Sequence, residues 1–190
     1  VVKVRSGEIM FGLNMVVHKG KTIFMGDTSV HEYPNAEQLS EIAISAARVV
    51  RLFGFEPKVA FVSHSTFGQP LTSRTKHIKD AVEILKKKNV NFEFDGDMQP
   101  DVALDKEYMS LYPFSKIVGN ANILIMPGQH SAAISYKMMK TLGNAKVIGP
   151  LLIGLGLPIE IAPLRSSTSE IINLASIAAY SADVIDYKKN

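Results

Sequence analysis

Short apolar runs that end in small polar loops alternate with amphipathic stretches of helical period. That alternation predicts an α/β layered fold with a mainly parallel sheet. Three observations carry it. Val59–Val62 and Ile123–Met126 are continuous apolar runs, as a strand buried on both faces requires. Leu39, Ile42, Ala43, Ala46, Val49, Val50 and Phe53 recur at the spacing of one helix face. The apolar runs give way to Ser, Asp, Gly or Pro, which places polar loops beyond the carboxyl ends of strands, where open parallel sheets bind ligands.

Taken in order, Ile9–Val17 and Thr22–Met25 flank His18-Lys19-Gly20-Lys21 and read as a hairpin. Asn35 with Gln38 three residues later is the start signal of the first helix, and Gly54 is its stop. The strand from Val59 follows. A second helix runs from about Arg74 to Lys88, with Ile78, Ala81, Val82 and Leu85 as its stripe. Phe92–Phe94 is a short strand entering a loop at Asp95-Gly96-Asp97-Met98-Gln99, and Asp101 starts another helix. Ile123–Met126 is a strand and Ser131–Leu142 a helix ended by Gly143. Lys146–Ile148 is a strand entering a turn at Gly149-Pro150, Ile159–Ile161 another strand, and Ser169–Ala182 the last helix.

Composition narrows the function. A 190-residue chain with 46% hydrophobic residues can bury a sizeable core. Lys+Arg 21 against Asp+Glu 18 is nearly balanced. The basic runs Lys86-Lys87-Lys88 and Lys188-Lys189 fall at a helix end and at the tail, which points away from nucleic acid. The absence of cysteine excludes disulfides, thiolate metal sites and cysteine nucleophiles, and fits a cytoplasmic setting. No apolar run approaches the roughly 20 residues that would span a membrane. The chain starts at Val1, within an apolar pattern and without the order of a signal peptide, so further sequence is expected before it.

Nucleotide-binding glycine loops, a phosphate-loop lysine motif and H-E-x-x-H are all missing from the sequence. His18, His31, His64, His77 and His130 have no close ligand spacing, so no metal is expected. His64 stands in a loop, where either acid–base chemistry or simple packing suits it. The remaining signal is a set of strand-end loops of small polar residues: Ser63–Gly68, Asp95–Gln99, Pro127–Gln129 and Gly149-Pro150. Ser63, Ser65 and Thr66 offer hydroxyls and Gly68 lets backbone approach an anion. Such loops suit a small anion such as a phosphate ester.

Several stretches resemble the phosphate acetyl/butyryltransferase family. They are Gly26-Asp27-Thr28, Pro34 to Ala43, Phe53 to Ala60, Asp95 to Gln99, Gly119 to Asn122 and Ile148 to Gly154. The resemblance implies two α/β lobes with the site in the cleft between them, homodimers at least, and acyl transfer between coenzyme A and phosphate. It implies a second lobe over residues 26–155, complete here, and a first lobe present in part as 1–25 and 156–190.

The same resemblance implies a Ser-Arg pair followed by an aspartate. At those positions stand Pro163, Leu164 and Glu170, with Arg165 one place off. Glu170 and Arg165 are therefore the candidate catalytic residues, although Ser167-Thr168-Ser169-Glu170 also spells a helix capping box. Phe67 and Ile153 replace a family lysine and glutamine. The resemblance further places Ser63, Ser65, Thr66, Gly68, Gly149, Pro150, Ser166 and Ser167 in a phosphate or coenzyme A cleft. For Gly149-Pro150 a tight turn is the simpler alternative.

The loop Ser63–Gly68 and the run Tyr112–Gly119 look most like the phosphotransacetylase-like C-terminal domain of bacterial NADP-dependent malic enzymes. That resemblance implies a domain that binds acetyl-CoA as an allosteric inhibitor and assembles the oligomer. No cofactor is then expected in this domain; NADP and a divalent metal would belong to a malic-enzyme domain preceding it. A working acyltransferase taking acyl phosphate, and a purely structural assembly domain, are the alternatives.

Overall fold

The computed structural model describes residues 2–70 and 72–184. β1 (Phe11–His18) and β2 (Lys21–Gly26) form the expected antiparallel hairpin. Its two-residue turn sets both Lys19 and Gly20 at positive φ, 48° and 75°, the geometry that matches the twist of paired strands.

α1 (Ala36–Leu52) starts on the reciprocal capping box that the sequence spells. The Gln38 N–H donates to Asn35 Oδ1 and the Asn35 N–H to Gln38 Oε1, each at 2.9 Å. Then come β3 (Lys58–Val62), α2 (Ser73–Lys88), β4 (Glu93–Met98), and the short α3 (Pro100–Leu104) and α4 (Lys106–Ser110). β5 (Ile123–Ile125), α5 (Gln129–Leu142), β6 (Lys146–Ile153) and α6 (Thr168–Val184) complete the order.

The six strands form one mixed sheet in the order β4-β3-β5-β2-β1-β6. The pairs among β4, β3, β5 and β2 are parallel, whereas β1 is antiparallel to both β2 and β6. β2 joins β5 directly, so the sheet continues across residue 26. Alternation splits the core between the faces. Val59 and Phe61 pack with Leu39, Ile42 and Val50 of α1, Ile78 and Leu85 of α2, and Leu174 of α6. Ala60 and Val62 pack on the other face with Val102 and Ala103 of α3 and Ala132 of α5.

The chain leaves β3 through α2 toward β4, on the first face. It leaves β5 through α5 toward β6, on the second face. Adjacent parallel strands whose crossovers diverge leave a crevice beyond their carboxyl ends. The fold opens its main cleft there, between β3 and β5.

Three local expectations are corrected. Asp95, Gly96 and Asp97 belong to β4, paired with β3, and not to a loop after it. Their carboxylates find local partners: Asp95 accepts from the Gly96 and Lys116 N–H groups, and Asp97 holds the neighbouring loop. Only glycine fits at 96, since a Cβ there would lie 2.8 Å from the Phe61 carbonyl oxygen.

Gly149-Pro150 lies within β6 and is not a strand-end loop. The pairing with β1 shifts register opposite Asn14 at this point, and an edge strand tolerates the missing proline N–H. Ile159–Ile161 is not a strand. Glu160 makes one isolated bridge to Leu151.

Candidate active-site clefts

β3 delivers Val62, Ser63 and His64 to the crevice, and β5 delivers Met126, Pro127 and Gly128. The cleft between them has a volume of about 790 Å³, within the range of small-molecule sites. Glu32, Tyr33 and Pro34, from the segment between β2 and α1, form another wall. Thr75, His77 and Ile78 from α2 and His130, Ser131 and Ser135 from α5 close it. A Cβ on Gly128 would meet the Glu32 carbonyl oxygen at 2.3 Å, so glycine is what lets the two loops touch.

Of the loop residues singled out in the sequence, Ser63 lines this cleft. Its hydroxyl lies 3.1 Å from that of Ser65. Ser65 is fully buried and donates to Asp97 Oδ2. The Gly68 N–H donates to Asp97 Oδ1 at 2.9 Å, and the Thr66 hydroxyl accepts from the Gln99 N–H at 3.2 Å. The loop is thus folded around the protein's own carboxylate, Asp97, itself 1% exposed. Phe67 sits at φ 50°, a conformation costly for a bulky residue, and packs against Tyr112 and Phe114 at 5.4 and 4.8 Å between ring centroids.

Gly149, Ser166 and Glu170 meet elsewhere, in a groove of about 40 Å³ shared with Tyr136, Lys140, Pro163 and Leu174. That space admits a few water molecules at most. Ser166 Oγ is buried there without a partner. Pro150 continues the β6 edge, and Arg165 is exposed in the turn closed by the Ser166 N–H to Pro163 carbonyl bond.

Glu170 performs its capping role. Its Oε2 accepts from the Ser167 N–H at 2.7 Å, and the Glu170 N–H donates back to Ser167 Oγ at 3.3 Å. The hydrogen bond from Lys140, at 2.9 Å, and those from Ser167 hold the carboxyl down at about 2. The candidate residues therefore scatter: Ser63 is at the large cleft, Gly149, Ser166, Ser167 and Glu170 are at or beside the small groove, and Ser65, Thr66 and Gly68 close around Asp97 and Gln99.

Comparison with known proteins joins these features to one lineage. The phosphate acetyl/butaryl transferase family matches residues 1–179. The chain belongs to that family. An NADP-dependent malic enzyme of Rhizobium meliloti is 43% identical over 178 residues, covering 94% of this chain and 23% of that protein. A phosphate acetyltransferase of Clostridium acetobutylicum is 36% identical over 162 residues, covering 84% of this chain and 49% of that protein. The solved structure of a phosphotransacetylase from Streptococcus pyogenes superimposes with a TM-score of 0.90 at 30% identity, over 96% of this chain and 57% of that one. The chain spans about a quarter of the malic enzyme and about half of the transferases.

Within this phosphate acetyl/butaryl transferase fold, His77, His130, Ser131, Ser135 and Tyr33 are cleft residues that sequence reasoning did not select. A signal was present, because His130 and Ser131 directly follow the Pro127–Gln129 loop. Lys140, the partner of Glu170, was likewise missed; it lies 30 positions away. Among the described residues no group of three His, Asp or Glu side chains is placed to hold a metal ion, and no helix is long and apolar enough to cross a membrane.

Proposed function

We propose that this chain is a ligand-sensing, non-catalytic member of the family. On this reading it is the phosphotransacetylase-like domain of a cytoplasmic NADP-dependent malic enzyme, binds acetyl-CoA as an allosteric inhibitor and helps assemble a homo-oligomer. NADP and a divalent cation would serve the malic-enzyme part of the longer protein.

The observation that carries the reading is the state of Glu170. Acyl transfer to a thiol needs a base near the thiol and cationic or hydrogen-bonding groups around the carbonyl oxyanion and departing phosphate. Glu170 is the one carboxylate at the position the family resemblance assigns to the base, and it is committed to Ser167 and Lys140. Lowering its carboxyl to about 2 makes it a poorer proton acceptor. Pro163 and Leu164 stand where that resemblance calls for serine and arginine, and Leu164 is fully exposed. Phe67 supplies no cation where lysine is expected, and Ile153 no hydrogen-bonding amide where glutamine is expected. The identity to malic enzymes of Rhizobium meliloti and Rickettsia prowazekii, 43% and 35%, adds to the reading.

Calorimetric titration of acetyl-CoA, with thiol release from acetyl phosphate and coenzyme A assayed on the same sample, tests it. Binding without turnover is expected, together with inhibition of malate oxidation in the full-length protein, since coupling between two binding sites is reciprocal. Turnover abolished by Glu170→Gln would overturn the non-catalytic reading and restore a phosphate acyltransferase. Binding of neither ligand would leave an assembly domain.

A further inference from the structure

Three of the five histidines, His64, His77 and His130, come from three different segments and line the same cleft. None is adjacent to another in sequence. One lies two residues beyond the end of β3, the first turns of α2 carry the second, and the first turn of α5 carries the third. The ionisable groups lining the cleft are these three imidazoles with Glu32 and Tyr33 from the segment before α1. Pro100 of α3 and Ile78 of α2 add no charge. Glu32 Oε1 lies 3.7 Å from His130 Nε2.

Imidazole changes charge between about pH 5 and 8. With all three rings neutral, Glu32 leaves the lining with one negative charge. With all three protonated, the lining carries a net two positive charges. Protonation of the three rings therefore inverts the sign of the cleft. Ser63, Ser131 and Ser135 also line it, and α5 starts at Gly128 with no side-chain cap over its first turn, where the Gln129 N–H donates to the His31 carbonyl and the Ser131 hydroxyl to the Gly128 carbonyl.

We propose that the β3–β5 cleft is a proton-gated site for a phosphorylated ligand, which enters as His64, His77 and His130 take up protons. The identity of that ligand as acetyl-CoA rests on the proposed function, and its phosphate groups are the part the histidines would face. Protonation turns the cleft from repelling to attracting an anion, and binding in turn draws protons onto the rings. Affinity would then track the acidity of the surroundings as well as the ligand's abundance.

The test uses the full-length protein and two probes, acetyl-CoA and inorganic sulfate; the charge of sulfate does not change over this pH range. Calorimetry at pH 6.0 and 8.0, repeated in buffers of different ionisation enthalpy, reads both affinity and protons taken up. The expected result is binding about tenfold tighter at pH 6.0 for both probes, with net proton uptake. His64→Gln and His130→Gln, at exposed positions, should each reduce that ratio, and the triple variant with His77→Gln should bring it close to one for sulfate.

Acetyl-CoA binding that the three substitutions leave unchanged would overturn the proposal while the acetyl-CoA sensor reading stands. Sulfate binding that is pH-dependent and lost in the variants, with no acetyl-CoA binding, would keep the cleft as an anion site and remove the sensor reading. Failure of both probes to bind removes both.

Discussion

A carboxyl group that still holds part of its proton near neutrality records how a site trades solvation for packing, and Glu160 is such a group. It lines a small apolar pocket with Val49, Leu52 and Phe53 of α1, Leu151 and Ile153 of β6, and Ile177 and Tyr180 of α6. Its Oε2 is buried with no hydrogen-bond partner, and burial pushes the carboxyl up from 4.5 to about 7. The folded protein then holds a proton that the unfolded chain releases near 4.5. This stability is fully present below pH 4.5 and is lost as pH rises through about 7. The loss should amount to roughly 1–3 kcal/mol. Urea unfolding between pH 4.5 and 8 should show a falling slope that Glu160→Gln flattens. Asp97 is buried as well, but its side-chain oxygens are hydrogen-bonded. Asp97→Ala strands the Gly68 N–H and leaves the Ser65 hydroxyl only its Ser63 neighbour, and should cost about 2–4 kcal/mol in the same assay.

Elements were legible where local chemistry decides them. The Asn35–Gln38 and Ser167–Glu170 capping boxes, the Lys19-Gly20 turn and the two-faced pattern of β3 are all written in neighbouring residues, and the structure has each of them. Asn35→Ala should therefore lower stability by about 1 kcal/mol, seen as a lower midpoint of denaturation; an unchanged midpoint would mean that tertiary packing alone holds the start of α1. Expectations failed where a distant partner decides. Asp95 and Asp97 look like loop formers until Lys116, Ser65 and Gly68 satisfy them. Gly149-Pro150 looks like a turn until Asn14 and the β1 edge accept it as an irregularity inside a strand. The site divides along the same line. Ser63 was readable from its own loop, whereas the gathering of His64, His77 and His130 depends on which helix crosses which face of the sheet.

At the scale of the whole molecule, the outer surface that α5 and α6 share beside the β6 edge is the unusual feature. Ile134, Met138 and Leu142 recur every four residues on α5 and are 57%, 55% and 79% exposed. Ile171 and Ile172 on α6 are 50% and 58% exposed. The Lys140–Glu170 ion pair links the two helices, so these apolar residues lie on neighbouring elements. A row of large aliphatic side chains at helical spacing costs solubility unless another surface covers it, and a two-fold homodimer covers such a row with its own copy. The oligomer proposed above would bury this face. Ile134→Glu with Met138→Glu places two like charges in its centre and replaces neither Glu170 nor any residue lining the large cleft. Light scattering on the eluted protein should then report a drop from a dimer or larger assembly to half that mass or less, with the circular dichroism of the folded chain retained. If the folded variant keeps the parent mass, the assembly surface lies elsewhere and the α5 row is not the contact. If the mass falls while acetyl-CoA affinity holds, ligand sensing resides within one chain; a parallel loss of affinity would mean that a second copy helps to form the site.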